Sequence, residues 1–228
     1  MRVCVGTSGW FYDWNPERSL DWFVANSGLN AVELNASFYR FPFPNQVRSW
    51  ANKGKGLCWA VKVSRLVTHL HRFGNAAYGI WERFHTIFEP LDRWIVFYLF
   101  QLPTQIGPQA KKKIEDFVQF TRLGRKFALE CRNNDWFNPE AENWARSLGI
   151  TLVSVDAPAL SRDVFNSSGA VYLRMHGRDD WYDHDYSTRE LKEVVEKVRA
   201  RKPRAVFVFF NNDKSMLKNA RAMLKLLS

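Results

Sequence analysis

Val171-Tyr-Leu-Arg-Met-His-Gly-Arg178 is the stretch that decides the fold. Side chains alternate across a β-strand, so Tyr172, Arg174 and His176 share one face while the other face is entirely apolar. The polar face therefore carries a cation and an imidazole at the carboxyl end of a strand, directly before a glycine. Other strands of the chain repeat this pattern. The stretch therefore predicts one strand of a buried sheet, with functional side chains at its carboxyl end.

Eight short apolar runs of about strand length follow one another along the chain. They are Val3–Thr7, Ala31–Leu34, Trp59–Val63, Trp94–Phe100, Phe127–Cys131, Thr151–Val155, Ala170–Met175 and Ala205–Phe210. Helix-like segments lie between them, with start signals such as the capping box at Ser187–Glu190 and the cap Asn138 followed by a proline. The connection after the sixth run, Ala157–Ser168, has the weakest helix signal.

Strands linked by helices are parallel and connected by right-handed crossovers. Eight such units predict an α/β fold, a single (β/α)8 TIM-type barrel, and 228 residues make it a compact one. The alternative is an open doubly wound parallel sheet. The turn after its first strand would be glycine-rich, but Gly6-Thr-Ser-Gly9 lacks the dinucleotide-binding pattern. No linker or repeat interrupts the chain, which predicts one domain over residues 1–228.

The composition is that of a globular protein, with 46% hydrophobic and 25% charged residues and a net charge of +10. A basic surplus favours an anionic, phosphate-bearing partner, nucleic acid included, although a solvated basic surface is the alternative. No apolar run reaches the roughly 20 residues that span a membrane, and no signal peptide fits the first residues. Cys4, Cys58 and Cys131 are widely spaced, which predicts buried free thiols. These features predict a cytoplasmic location without membrane contact.

Polar residues follow small or apolar ones on one face of most predicted strands, close to the carboxyl end. These predicted inward residues are Glu33, Asn35, Lys62, Gln101, Glu130, Arg132, Asp156, Arg174, His176 and Asn211. Active sites of such barrels lie at this mouth. Buried charges cost several kcal/mol unless they are paired or hydrated, so a ring of them predicts a functional site.

Two chemistries fit this ring. In the first, a divalent metal is held by Glu33, Glu130, Asp156 and His176, with Mg²⁺ or Mn²⁺ favoured over Zn²⁺ because oxygen ligands prevail. In the second, the carboxylates pair with arginines, no metal binds, and one carboxylate and His176 act as base and acid. Phosphate would be held by Lys62, Arg132 and Arg174, and other substrate groups would be oriented by Asn35, Gln101 and Asn211.

Aromatic residues also follow the strands at the predicted mouth. Trp10, Tyr39 and Trp136 would stack there on bases or sugar rings, or else pack into the core. His69 and His71, after the third strand, would be additional metal ligands or simply surface residues.

Seven ordered motifs make the chain recognisable. They are Val5–Trp10, Val32–Tyr39, Ala60–Ser64 with Thr68-His69, Phe100–Pro103, Leu129–Arg132 with Trp136, Tyr172–Gly177 and Phe209–Asp213. In these motifs the chain resembles the YecE-like family, domain of unknown function 72, over nearly its whole length. The resemblance implies a TIM barrel of the kind seen in endonuclease IV and sugar isomerases, without an established activity. The chain has only 5 His, so the tri-zinc mechanism of endonuclease IV is not carried over.

These observations predict an enzyme that acts on a phosphate-bearing substrate at the barrel mouth. Hydrolysis of a phosphodiester, in nucleic acid for instance, is the first hypothesis. The alternatives are a phosphosugar isomerase or lyase and a non-catalytic module that binds nucleic acid or nucleotides. The sequence indicates no oligomeric state.

Overall fold

The computed structural model describes residues 1–228 and contains one sheet of nine parallel strands. The strands are β1 Arg2–Thr7, β2 Ala31–Leu34, β3 Cys58–Lys62, β4 Ile95–Gln101, β5 Phe127–Glu130, β6 Thr151–Leu152, β7 Ser154–Asp156, β8 Ala170–Met175 and β9 Ala205–Phe210. Their order is β6-β5-β4-β3-β2-β1-β9-β8-β7. Only Val153 separates β6 from β7, so the two share the sixth position of an eight-position barrel. The predicted (β/α)8 barrel is confirmed.

Eight α-helices lie between and after these strands. They are α1 Leu20–Asn26, α2 Ala36–Tyr39, α3 Pro44–Lys53, α4 Asn75–Phe88, α5 Lys111–Thr121, α6 Pro139–Ser147, α7 Thr188–Ala200 and α8 Met216–Leu227. The helix start signals in the sequence act as predicted. Ser187 and Glu190 form the capping box of α7, and the Asn138 side chain accepts a hydrogen bond from the amide of Ala141 at the start of α6.

The sixth strand is covered by an irregular loop, residues 157–169, instead of a helix. Backbone amides in such a loop need acceptors, because buried N–H groups are costly to leave unpaired. The hydroxyl of Ser154 accepts from the amide of Phe165 at 2.9 Å, and the hydroxyl of Ser167 accepts from the amide of Leu152 at 2.9 Å. The side chain of Ser154 therefore points outward, toward the loop.

This loop corrects the predicted orientation of the sixth strand. Val153, Val155 and Ala157 fill the barrel interior, whereas Leu152 belongs to the outer hydrophobic layer. Asp156 therefore faces away from the barrel axis, contrary to the prediction that it joins the inward ring. The prediction assumed that the polar face of every strand points inward, but here the polar face serves the loop.

The apolar core has two layers. An outer cluster of 52 buried residues packs the strands against the helices, and an inner cluster of 14 fills the barrel. The inner cluster occupies the lower part of the barrel, with Phe97 and Phe207 in contact at a ring-centroid distance of 4.8 Å. Charged side chains take over from it toward the carboxyl ends of the strands, so the fold itself places a polar site at the mouth.

The prediction of three free thiols was wrong. Cys4 on β1 and Cys58 on β3 form a disulfide inside the barrel, and only Cys131 is free and buried. The two half-cystines are 54 residues apart in the sequence, but both side chains point to the barrel axis, where their Cα atoms are 6.6 Å apart. This distance lies within the range that disulfides span, near its upper end. No helix of the chain is both long enough and apolar enough to cross a bilayer.

Candidate active site at the barrel mouth

Arg174 is the centre of the polar cluster at the mouth. It lies at the end of β8, and its guanidinium is enclosed between the carboxylates of Glu33 from β2 and Glu130 from β5. Nε and Nη2 donate to Glu33 at 2.9 and 2.6 Å, and Nη1 donates to Glu130 at 2.5 Å. All three side chains are buried. Such a fork pairs both buried carboxylates with one guanidinium, and a second cation is needed to balance the charges.

The remaining oxygen positions of the two glutamates are also engaged. Glu33 accepts hydrogen bonds from the hydroxyls of Ser8 at 2.6 Å and Tyr172 at 2.5 Å. Glu130 pairs in addition with Nε of Arg132. Burial raises the pKa of Glu130, but the nearby cations of Arg132 and Arg174 outweigh this effect and lower it to about 2. This carboxylate is therefore ionised at neutral pH and is not a proton donor there.

His176 follows Arg174 on the same face and is fully buried. Its Nε2 lies 3.1 Å from Nη2 of Arg132, and its Nδ1 lies 3.2 Å from the side-chain amide of Asn211. Burial and the neighbouring cations, Arg174 first, lower the pKa of His176 well below its usual range. Since a guanidinium can only donate, the neutral imidazole accepts from Arg132 at Nε2.

Lys62, at the end of β3, differs from the other cations of the cluster. The residue is 8% exposed, and its Nζ has neither an ion-pair partner within 4.0 Å nor a hydrogen bond. It lies 4.0 Å from the centroid of the Phe38 ring. Burial, together with the cation of Arg174, lowers the pKa of Lys62 to about 7. A substantial part of this amine is therefore neutral at neutral pH.

A cavity of about 600 Å³ opens beside the cluster. Its wall includes His69, Gln101, Arg132 and Trp181. The Oε1 atom of Gln101 is buried and has no hydrogen-bond partner. Burial and the charge of Lys62 lower the pKa of His69, so this histidine is neutral as well. The cavity thus offers an unpaired carbonyl oxygen, a neutral imidazole and a guanidinium to a ligand.

The structure brings most of the predicted site residues together. Glu33, Lys62, Gln101, Glu130, Arg132, Arg174, His176 and Asn211 all lie at the mouth, and Oδ1 of Asn35 lies 3.5 Å from Nη2 of Arg174.

Asp156 does not join them. Its carboxylate accepts from the hydroxyl of Tyr186 at 3.1 Å and pairs with Arg178 at 3.4 Å, on the outer side of the sheet. Burial raises the pKa of Asp156 in spite of the opposing effect of Arg178. The predicted placement of Asp156 in the inward ring at the mouth was therefore wrong, because the sixth strand presents its other face to the barrel.

The predicted aromatic mouth is largely core. Trp136 is 1% exposed and donates from Nε1 to the carbonyl of Ile106 at 2.9 Å, so it packs into the core, which is the alternative set out from the sequence. Trp10 lies edge-on between Trp50 and Trp59, with ring centroids 5.9 Å away in both cases, and only borders the cluster. Tyr39 alone lies on the rim, where it is 70% exposed.

The metal hypothesis does not fit this donor set. Arg174 fills the space between Glu33 and Glu130, Arg132 occupies Nε2 of His176, and Asp156 points elsewhere. No group of three or more histidine, cysteine or carboxylate side chains is arranged to hold a cation. The observed arrangement is the alternative set out from the sequence, in which the carboxylates pair with arginines.

Several residues in the loops that follow the strands also belong to the site. Trp181 and Tyr182, in the loop after β8, contact the His176 ring at centroid distances of 5.4 and 5.5 Å, and Trp181 stacks under the guanidinium of Arg132 at 4.5 Å. His69 looked like a surface histidine but lines the cavity. Loop positions after strand ends were a weak signal, because loop conformation decides whether such residues turn toward the mouth.

These features define a (β/α)8-barrel protein with an ion-paired polar cluster and an adjoining cavity at the carboxyl ends of its strands. The chain belongs to the family described as protein of unknown function DUF72, whose model matches residues 4–228. The resemblance inferred from the sequence is thus confirmed.

Solved structures agree with this assignment. A DUF72 family protein of Thermotoga maritima is 28% identical, with a TM-score of 0.87 over 100% of this chain and 99% of that one. A DUF72 family protein of Enterococcus faecalis is 20% identical, with a TM-score of 0.84 over 99% and 97%. D-psicose 3-epimerase of Clostridium cellulolyticum shares the fold at 12% identity, with a TM-score of 0.61 over 100% of each chain. No curated protein matches the chain significantly.

Proposed function

We propose that this protein is an enzyme that binds a small phosphorylated sugar at the barrel mouth and isomerises or cleaves it by acid–base chemistry. The observation that carries the proposal is a guanidinium with an open donor beside neutral proton acceptors at the mouth. Arg132 and His69 line one cavity, and Lys62 lies near Arg132 in the adjoining cluster. This is the chemistry that such a substrate requires, because its phosphate needs cations and the proton on the carbon next to its carbonyl needs an acceptor.

Arg132 is the group proposed to hold the phosphate. Its Nε and Nη2 are committed to Glu130 and His176, but its Nη1 makes no hydrogen bond within the chain. Two committed donors fix the orientation of the guanidinium, and Trp181 supports it from below. The free Nη1 therefore faces its ligand with little loss of side-chain entropy.

His69 is the proposed proton acceptor. Thr68 lies 2.9 Å from Nδ1 of this histidine, and the Phe38 ring packs edge-on against the imidazole at 5.0 Å. The ring is thus held in place, and its lowered pKa keeps a nitrogen free to take a proton at neutral pH. Lys62, with a pKa of about 7, is available in both protonation states.

Hydrolysis of a phosphodiester is the second candidate, favoured by the net charge of +10. However, both buried carboxylates are neutralised by arginines, which leaves neither free to activate water. Many exposed cations also lie on the opposite side of the barrel, at or just before the amino ends of strands. These are Arg2, Lys55, Arg93, Arg125 and Arg204. A small substrate at the mouth accounts better for the cavity than a nucleic acid does.

The test is a binding and exchange assay on the full chain. Triose to hexose phosphates are titrated by calorimetry, and exchange of the proton beside the carbonyl is followed by NMR in D₂O. We expect binding of the phosphorylated sugars only, weakened at least about tenfold in Arg132→Gln, which corresponds to about 1.4 kcal/mol. His69→Gln should retain binding but lose exchange.

The exposed arginine variant Arg189→Gln is the matched control and should behave as the parent protein. Equal binding of phosphorylated and unphosphorylated sugars would contradict the proposal. Cleavage of a phosphodiester probe that is lost in Arg132→Gln, without any sugar phosphate binding, would instead support the second candidate.

A further inference from the structure

We propose that Lys62 is a covalent catalyst that forms an imine with an aldehyde or ketone group of the substrate. This inference rests on the proposed function and narrows it to phosphorylated sugars in their open-chain carbonyl form. It is carried by the position of Lys62 at the end of β3, by the absence of any counter-ion and by its place beside the cation that would hold the phosphate.

Lys62 is the single lysine among the buried residues of the chain. Most other lysines are solvated and several form ion pairs, such as Lys112 with Asp116 at 2.8 Å. A buried lysine that serves the fold ordinarily forms an ion pair as well, since an isolated buried ammonium is costly. Lys62 has no such partner and contacts the face of the Phe38 ring instead.

The charges around Lys62 explain why it has none. Glu33 and Glu130 supply two negative charges, and Arg174 and Arg132 supply two positive ones. The cluster is therefore already balanced without Lys62. A further cation at the same mouth is in surplus, so the environment favours loss of its proton and leaves the lone pair of Nζ free.

A neutral amine at a barrel mouth is the nucleophile that imine chemistry requires. The lone pair of Nζ attacks the carbonyl carbon, and one proton moves from nitrogen to oxygen to give a carbinolamine. Protonation of the hydroxyl and loss of water leave a protonated imine between Nζ and the former carbonyl carbon. Overall, the amine, the carbonyl compound and one proton from solvent give the protonated imine and one water, without any oxidant or reductant.

The imine then makes the reaction of the proposed function easier. Its positive nitrogen withdraws electrons, so an adjacent C–H or C–C bond breaks and its electron pair is held as an enamine. His69 would accept the proton from C–H, and Arg132 would keep the phosphate in place. Reprotonation and addition of water release the product and restore the amine of Lys62. The lowered pKa of Lys62 supports this sequence, because the reactive form is populated near pH 7.

The test traps the imine in the full-length protein. Dihydroxyacetone phosphate is added at pH 7 with sodium borohydride, which reduces the imine to a stable secondary amine, and the adduct is located by peptide mass spectrometry. We expect one adduct, at Lys62. Because an ordinary lysine has a neutral fraction about a thousandfold smaller at pH 7, the yield at Lys62 should exceed that at Lys112 by at least about tenfold.

Matched variants make the result decisive. Lys62→Met should abolish the adduct while circular dichroism remains that of the folded protein, and Lys112→Met should leave the adduct unchanged. Unphosphorylated dihydroxyacetone should give a much lower yield. Equal labelling of Lys62 and exposed lysines, or an adduct that persists in Lys62→Met, would overturn the inference.

The two proposals fail separately. If sugar phosphates bind through Arg132 and no adduct forms at Lys62, the imine is excluded and the proposed function stands. If neither binding nor an adduct is found, both are wrong.

Discussion

Two arginine–carboxylate clusters lie on opposite sides of the same sheet. Inside the barrel, Arg174 joins Glu33 and Glu130. Outside it, Arg178 pairs with Asp156 at 3.4 Å and with Glu193 at 3.0 Å. The inner cluster adjoins an open cavity and a surplus cation, whereas the outer one lies against α7. An ion pair at a strand end is therefore not by itself a sign of function. What matters is whether it lies on the face of the strand that points into the barrel mouth.

The two clusters also shift the pKa of a carboxylate in opposite directions. Cations lower the pKa of Glu130 to about 2, while burial raises that of Asp156 although Arg178 is near. Glu130 has guanidinium partners on both oxygens, at Arg132 and Arg174. Asp156 has one long contact to Arg178 and a neutral hydroxyl from Tyr186. Only the inner cluster depends on full ionisation of its carboxylates.

The strongest test of this difference removes the two arginines in turn. Arg174→Met leaves two buried carboxylates without a counter-ion and should lower the free energy of unfolding by about 3–5 kcal/mol. Arg178→Met leaves less buried charge without a partner, because the Glu193 side chain is 45% exposed to water. It should lower the free energy of unfolding by about 1 kcal/mol. Urea unfolding of both variants measures this. Equal losses would show that the two clusters are energetically alike.

Removal of Lys62, the surplus cation, should raise the free energy of unfolding at pH 7 instead of lowering it. The folded-state pKa of Lys62 is about 7 against a usual 10.5, so the unfolded chain binds more protons between these values. The stability of the parent protein should therefore rise as pH increases from about 7 to 10, by an amount on the order of 3 kcal/mol. Lys62→Met should lack this rise and be more stable at pH 7. Unfolding curves at several pH values check it, and parallel pH profiles would contradict it.

Asp156→Asn probes the outer cluster alone. The raised pKa means that the ionised form is disfavoured in the fold, so an amide that keeps a hydrogen bond to Tyr186 should change stability by only about 1 kcal/mol or less. Sugar phosphate affinity and the yield of the Lys62 adduct should remain at parent values. A loss of either would return Asp156 to the functional site.

The smallest effect on stability is expected at the rim. Tyr39 is 70% exposed, so Tyr39→Ala should change the free energy of unfolding by no more than about 0.5 kcal/mol. Any effect on sugar phosphate affinity would then report a direct contact at the mouth. Thermal unfolding and calorimetry on the same sample separate the two, with Trp136→Ala, in the core, as the strongly destabilised comparison.

The sequence carried the barrel and most of its inner cluster. Period-2 alternation places Glu33, Glu130 and Arg174 correctly, because a residue's face on a continuous strand follows from counting. Alternation gave the wrong face for Asp156. The strand is broken at Val153, and Ser154 bonds to the loop outside the barrel, so the polar face of this strand points outward. Trp136 could not be assigned to the mouth or the core for a related reason: loop residues have no period, so only packing decides which way they turn.

Other parts of the site depend on distance in space. The lack of a partner for Lys62 could not be counted from the sequence, where glutamates were available to it. Lys62 has no partner because Arg174 already pairs with the carboxylates of both Glu33 and Glu130. The pairing of Cys4 with Cys58 is hidden in the same way, as their proximity arises only once the barrel has closed.

The divided sixth strand has a consequence for where local unfolding of the barrel begins. A closed barrel has no free edge, so local unfolding must first break one of its seams. At the sixth position only Thr151–Leu152 pairs with β5 and only Ser154–Asp156 pairs with β8, and the connection that follows β7 contains no helix. Opening there would leave an unbroken sheet running from β7 to β6, with Glu33 on its central strand and with Arg174 and Glu130 each one strand in from opposite edges. Amide hydrogens of the sixth strand should therefore exchange ahead of those that hold the site.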